Sequence, residues 1–378
     1  MTIVPRLLAA ALCLLPALAA AAAPVPPPPQ VAARAWLLVD AHSGRVLAEK
    51  NADRRMEPAS LTKLMTAYAV FHELKNGSVT LDEPVLVSKK AWKMGGSRMF
   101  IEVGKRVPVK ELLLGMIVQS GNDASIALAE HVGGSEEAFV ALMNEHARAL
   151  GMDNTRFVNA TGWPHKDHYS TARDLSRLTR ALITEFPEYY KWYRIKEYTY
   201  NGIRQSNRNR LLWLDDRVDG VKTGHTESAG YCLITSAVKG DMRLISVVLG
   251  TRSEEARVSV SRALLNYGFR FYDTVRLYAA GEELTRMRAW KGEPGELPLG
   301  LAEDFYVTLP RGQRQRLKAH MQVDRLIEAP IEKGRAYGTV QVKVGDEVVA
   351  ERPLVALMDV PAGGLWRRVV DSIVLLFQ

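Results

Sequence analysis

A hydroxyl and an amine stand three residues apart in the stretch EPASLTKLMTAYAV, at Ser60 and Lys63. Together they are the minimum equipment for a nucleophile and its base. A serine is a weak nucleophile until a neighbouring base takes its proton. The spacing is usable only on a helix, where residues i and i+3 share a face about 5–6 Å apart at Cβ. The same spacing recurs at Ser236 and Lys239, in a run that reads as a strand. There side chains alternate with period two, so i and i+3 point to opposite faces, and only the first pair can act chemically. The plain alternative for Ser60 is a helix N-cap, a position serine favours. Pro58 suits the first helical position, which sets Ser60 third, inside the first turn, where a capping hydroxyl is surplus. Local sequence alone leaves both readings open.

Two distant clusters bear on the choice. Ser120-Gly121-Asn122 places a hydroxyl and an amide between the two apolar runs of ELLLGMIVQSGNDASIALAEH (Glu111 to His131). Lys222-Thr223-Gly224 opens a strand-like run, and its glycine admits close approach of a ligand. Alone, the first reads as a turn and the second as a strand edge. In this order, S-x-x-K, S-x-N and K-T-G are far more specific than any one of them, and the set matches that of class A β-lactamases and penicillin-binding proteins.

The likeness extends through SLTKLMT, VQSGNDASIALAE, YSTARDLSRL, RLLWLDDRVDGVKTGHT and YGFRFYDT. On these segments the chain resembles the low-molecular-mass penicillin-binding proteins that act as D-alanyl-D-alanine carboxypeptidases, serine peptidases of the bacterial envelope. The resemblance implies that Ser60 accepts the acyl group with Lys63 as general base. It further implies that Ser120 relays a proton to the leaving amine, that Asn122 holds the substrate amide, and that Lys222 supports the polar network and binds substrate. The oxyanion hole is then the backbone N–H groups of Ser60 and His225, with Thr223, Gly224, Thr226, Arg208 and Arg257 as the surroundings of the terminal carboxylate. The substrate class is the peptidoglycan stem pentapeptide, and β-lactam antibiotics are expected to acylate Ser60 as mimics of its end. A free lysine is charged at neutral pH, while burial and a nearby cation both disfavour that charge. Lys63 is therefore expected to be neutral, with Lys222 as the cation. No E-x-x-L-N segment lies between Asn122 and Lys222, which points to a slowly recovering penicillin target. The rivals are a D,D-endopeptidase acting on cross-links and a non-catalytic wall-binding protein.

These residues require elements to hold them. WLLVDAHSGRVLAEKN (Trp36 to Asn51) reads as a hairpin around Ser43-Gly44, and VKTGHTESAGYCLITSAVKGDMRLISVVLGT as two strands joined at Lys239-Gly240-Asp241. Between them TARDLSRLTRALI spaces apolar residues at 175, 178, 182 and 183, as a helix does. The expected fold is an α/β (α+β) catalytic domain over 31–272, an antiparallel sheet covered by helices. A small all-β domain follows over 273–360, with a hairpin at Gly345-Asp346. Residues 361–378 form an amphipathic helix: Leu365, Trp366, Val369, Val370, Ile373, Val374, Leu376 and Phe377 fall on one half, and Arg367, Arg368, Asp371 and Ser372 on the other. Leu375 alone is misplaced. Such a segment suits lying in a membrane surface through residues 363–378, or docking on the protein's own core.

The chain has 378 residues, 47% hydrophobic and 24% charged, with net charge +8. That is an ordinary globular composition, and without a dense Lys/Arg block no nucleic-acid partner is expected. Residues 1–23 have the layout of a secretory signal peptide, and 24–30 of a stiff Pro-rich leader without a fold of its own. Export to the periplasmic face of a bacterial inner membrane is expected, with peripheral attachment. Removing the signal leaves Cys232 as the only cysteine, so no internal disulfide forms. No cofactor or metal is expected: His165-x-x-His168 is the only close histidine pair, and no H-E-x-x-H occurs.

Overall fold

The structure, a computed structural model, describes residues 25–377, so the expected signal segment 1–23 lies outside the described residues. The catalytic half is built on five antiparallel strands: β1 (Ala35–Asp40), β2 (Val46–Lys50), β3 (Val218–Thr226), β4 (Gly230–Lys239) and β5 (Met242–Thr251), in the order β2-β1-β5-β4-β3. The hairpins at Ser43-Gly44 and at Lys239-Gly240-Asp241 are those expected. Strand β3 lies at the edge of the sheet and packs on the turn that carries Ser60.

Helices cover both faces of the sheet. On one side lie α1 (Lys63–Asn76), α2 (Val109–Val118), α3 (Asn122–Gly133), α4 (Glu136–Ala149) and α5 (Ala172–Glu185). In α5, Leu175, Leu178 and Leu182 are fully buried, as their spacing predicts, and the Thr171 hydroxyl caps the helix by accepting from Asp174 N at 3.1 Å. The other face is covered by α6 (Glu254–Phe271), capped by Ser253, which accepts from Ala256 N at 3.1 Å. Residues 25–33 form no element, yet Val25, Val31 and Ala33 pack on this second face, and the Tyr267 hydroxyl donates to Pro26 O at 2.9 Å. The leader is thus part of the second core, contrary to its composition alone.

The C-terminal half pairs β6 (Tyr272–Tyr278) with β9 (Phe305–Pro310). A five-stranded antiparallel sheet of β7 (Glu283–Arg288), β8 (Glu296–Gly300), β10 (Leu317–Val323), β11 (Ala336–Val344) and β12 (Glu347–Ala356) has the order β7-β8-β12-β11-β10. Val340 and Val342 are fully buried, so the alternation read in GTVQVKV is the inward face of β11. The halves are joined through Asp40, fully buried, which accepts from the Ser43 hydroxyl at 2.9 Å and the Thr274 hydroxyl at 2.7 Å.

Helix α7 (Leu365–Leu375) turns its polar side inward. The Asp371 carboxylate is 3% exposed and accepts from Arg288 Nη2 and Lys291 N, both at 2.7 Å. Arg367 lies against Gly295 and Gly363, and Leu375 is half-buried. Residues 367, 371 and 375 follow the i, i+4 row of a helix, which explains why one leucine breaks the amphipathic pattern: it sits on the docking side. The apolar half faces outward, with Leu365, Trp366, Leu376 and Phe377 each at least 80% exposed.

Candidate active site

The segment that carries Ser60 is not the first turn of an α-helix. Ala59–Thr62 form a 3-10 turn after Pro58, and the α-helix begins at Lys63. In a 3-10 turn residues i and i+3 eclipse, which sets the amine over the hydroxyl more directly than an α-helix does. No side chain caps the turn. Ser60 Oγ lies 3.0 Å from Lys63 Nζ, so the hydroxyl serves the amine. The control pair behaves as its strand predicts: Ser236 is buried in β4 and accepts from Arg243 Nη1 at 2.7 Å, while Lys239 is exposed.

Lys63 is 1% exposed, and Nζ also donates to Asn122 Oδ1 and to Thr161 O, both at 2.7 Å. The amide of Asn122 is oriented by Nδ2, which donates to Gly95 O at 2.7 Å. Both partners of Nζ besides Ser60 are therefore carbonyl oxygens that only accept. A neutral amine has two N–H bonds and one lone pair. The two carbonyls take both N–H bonds, and the lone pair is left for the Ser60 hydroxyl. Burial lowers the Lys63 pKa to about 7; the Arg208 guanidinium pushes the same way and Asp123 opposes.

Lys222, the cation expected to act on Lys63, is coupled to it, and each amine disfavours the charge of the other. It is itself buried, and its pKa is held well below the ordinary lysine value, first by burial and then by Lys63, Arg208 and Arg257. Its Nζ donates to Thr223 O at 3.1 Å. Arg208, exposed and lining the pocket, also disfavours the Lys63 charge.

Ser120 occupies the break between α2 and α3 with φ at +68°, its Oγ buried and without a protein partner. The next residue but two, Asp123, is buried and gathers the loop before it, accepting from Met99 N at 3.0 Å and Phe100 N at 2.9 Å. Gly224 meets the Ser60 turn: a Cβ there would lie 3.0 Å from Pro58 O and 3.3 Å from Ala59 Cβ. Its role is to let β3 close on that turn.

The loop 152–170 supplies pieces that no side-chain motif announces. Gly162, with φ at +83°, lies so close to Ala59 that a Cβ would strike its carbonyl oxygen, and this approach delivers Thr161 O to Lys63. His168 anchors the loop. Its Nδ1 accepts from Val158 N at 3.2 Å, so Nε2 carries the proton given to Thr62 Oγ1 at 2.7 Å. Both ring nitrogens are thereby used, and burial, with smaller contributions from His165 and Lys63, lowers the His168 pKa to about 4.

Ser60, Ser120, Asn122, Thr223, Gly224, His225, Thr226, Arg208 and Arg257 all line one cavity of about 620 Å³, with Thr161, Trp163, Glu227 and Glu254 among its other walls. Lys63 and Lys222 lie behind this surface. The Thr226 hydroxyl accepts from Ala229 N at 3.0 Å, the His225 ring packs on Tyr231 with centroids 4.0 Å apart, and Arg257 pairs with Glu254 at 2.9 Å. The three motifs, scattered over more than 160 residues of sequence, thus form one wall system around Ser60.

A family profile described as D-alanyl-D-alanine carboxypeptidase matches residues 20–253, and that of the penicillin-binding protein 5 C-terminal domain matches 272–362. The chain belongs to the D-alanyl-D-alanine carboxypeptidase family. The carboxypeptidase is similar to D-alanyl-D-alanine carboxypeptidases DacC and DacA of Escherichia coli K12, at 45% and 42% identity, each match covering 92% of this chain and 89% of the relative. In structure it is similar to penicillin binding protein 5 of Haemophilus influenzae: TM-score 0.82 at 39% identity, covering 88% of this chain and 99% of that one. A Listeria monocytogenes penicillin-binding protein D2, solved in a cefotaxime-bound form, matches with TM-score 0.60 at 33% identity, covering 65% of this chain and 100% of that one. The α+β catalytic fold followed by an all-β domain is therefore the family's, as the sequence resemblance implied.

Proposed function

We propose that this carboxypeptidase removes the terminal D-alanine of peptidoglycan stem pentapeptides through an acyl-enzyme on Ser60. The observation that carries the proposal is the Lys63 amine, whose two carbonyl partners and lowered pKa leave a lone pair beside the Ser60 hydroxyl. Lys63 takes the Ser60 proton as Oγ attacks the carbonyl carbon of the penultimate D-alanine. The developing oxyanion is received by the N–H groups of Ser60 and His225. Collapse breaks the peptide bond, and the departing amine takes a proton through Ser120, whose unpartnered hydroxyl supports that role. Water then hydrolyses the ester. Arg208 and Arg257 hold the terminal carboxylate, a task suited to arginine's planar fork.

Release of D-alanine from a pentapeptide, compared with cleavage of a cross-linked dimer, tests the reading. The pentapeptide is expected to be the better substrate by at least about tenfold, the worth of one charge-assisted contact to the carboxylate. A preference for the dimer would make the protein an endopeptidase. β-Lactams acylate Ser60 in place of the dipeptide and leave slowly, since the carboxylates of the pocket, Glu227 and Glu254, belong to the β3 and α6 side and neither bonds Ser60.

We further propose that residues 1–23 direct export and that residues 363–378 hold the enzyme peripherally on the periplasmic face of the inner membrane. The outward apolar half of α7 supports the second part. Among the described residues no helix is long and apolar enough to cross a membrane. The chain should sediment with anionic phospholipid vesicles and lose that association when residues 363–378 are removed; equal sedimentation of both forms would contradict the proposal.

A further inference from the structure

Glu254 occupies the first position of α6, just after its cap Ser253, and Arg257 follows one turn later on the same face. Both line the pocket that holds Ser60. The Arg257 side chain is 3% exposed and that of Glu254 50%, with Nη2 and Oε1 2.9 Å apart. Arg257 is otherwise poorly served: Nη1 reaches Gly224 O only at 3.5 Å, and the buried Nε has no partner. A guanidinium offers five donors, so this one is a built anion receptor whose present anion belongs to the protein. Arg208 lines the same cavity, exposed, and bears no comparable carboxylate.

We infer that Glu254 is an internal competitor for the substrate's terminal carboxylate, setting how strongly the pocket demands a free C-terminus. The inference rests on the carboxypeptidase reading above. A carboxylate entering the pocket meets one open guanidinium, Arg208, and one already neutralised. To engage Arg257 it must displace Glu254 or share the fork with it, and it approaches a like charge in either case. A peptide ending in an amide has no such contest. Glu254 therefore weakens carboxylate-terminated substrates selectively and narrows the gap between them and amide-terminated or cross-linked ones.

The test is steady-state kinetics on a D-alanine-terminated pentapeptide and on its C-terminal amide, with wild type and Glu254→Gln. Glutamine keeps the length and the acceptor facing Arg257 but removes the charge. The KM for the acid should fall about three- to tenfold in the variant, the range of a partly exposed charge pair. The KM for the amide should hold, and the difference should shrink as salt is raised. In wild type alone the preference in kcat/KM for the acid over the amide should be modest, about tenfold; this reading needs no variant. A variant KM for the acid that is unchanged or higher, or a wild-type preference beyond about a thousandfold, overturns the inference and leaves the carboxypeptidase reading standing. A wild type that releases no D-alanine removes both.

Discussion

Replacing Lys63 by methionine will slow acylation of Ser60 by benzylpenicillin about 10²- to 10⁴-fold at pH 7, the range of a lost general base. Methionine fills much of the same volume, so the loss is chemical: Asn122 Oδ1 and Thr161 O remain, but nothing takes the serine proton. The wild-type pH profile follows from the same group. Burial and Arg208 lower the Lys63 pKa, to about 7, and only the neutral amine is a base. The acylation rate is therefore flat above that value and falls tenfold per pH unit below it. Arg208→Gln removes a cation that disfavours the ammonium, so the acid limb moves to higher pH. A limb that stays in place would show that Arg208 does not set the Lys63 pKa. A Lys63→Met enzyme that acylates at the wild-type rate would assign the base to another group.

Gly162→Ala is expected to cost about 100-fold in acylation rate, the penalty of misplacing a reacting group by about an ångström. The added methyl meets two objections. The backbone there has φ at +83°, and the new Cβ runs into the Ala59 carbonyl oxygen and lies 2.9 Å from Thr62 Oγ1. Relief requires the loop to lift from the Ser60 turn, carrying Thr161 O away from Lys63. Strain and overpacking together cost about 3 kcal/mol of stability. Gly77, at the end of α1, isolates the two causes, since its φ is +77° yet a Cβ there meets nothing within 4 Å. Gly77→Ala should lose about 1 kcal/mol and acylate normally. If the two variants acylate equally, the contact between loop and turn is not what aims Lys63.

Much of this arrangement was legible in the chain. The alternation of β11, the leucine spacing of α5 and the hairpin turns are local patterns, and local patterns survive folding. The S-x-x-K, S-x-N and K-T-G residues share one cavity because the first two lie where helices α1 and α3 begin and the third lies in the edge strand β3, which packs on the Ser60 turn. What could not be read is what depends on backbone atoms and on approach. Thr161 contributes a carbonyl, which every residue has. Gly162 and Gly224 matter because two segments touch there, and sequence shows a glycine without its neighbour. The hold of Asp123 on the loop at Met99 and Phe100 likewise joins segments 24 and 23 residues apart. Burial depth is not written in residue type: Lys222 is buried and depressed with Lys63, and Arg208 adds a second cation beside them. Leu375, apolar on a polar stripe, marked the side on which α7 docks.

Intact-protein mass spectrometry after exposure to benzylpenicillin, followed by peptide mapping, tests the central claim most directly. One adduct of the mass of the intact drug is expected, on the peptide carrying Ser60, and none in Ser60→Ala. An adduct on any other residue, or one that persists in Ser60→Ala, would contradict Ser60 as the nucleophile.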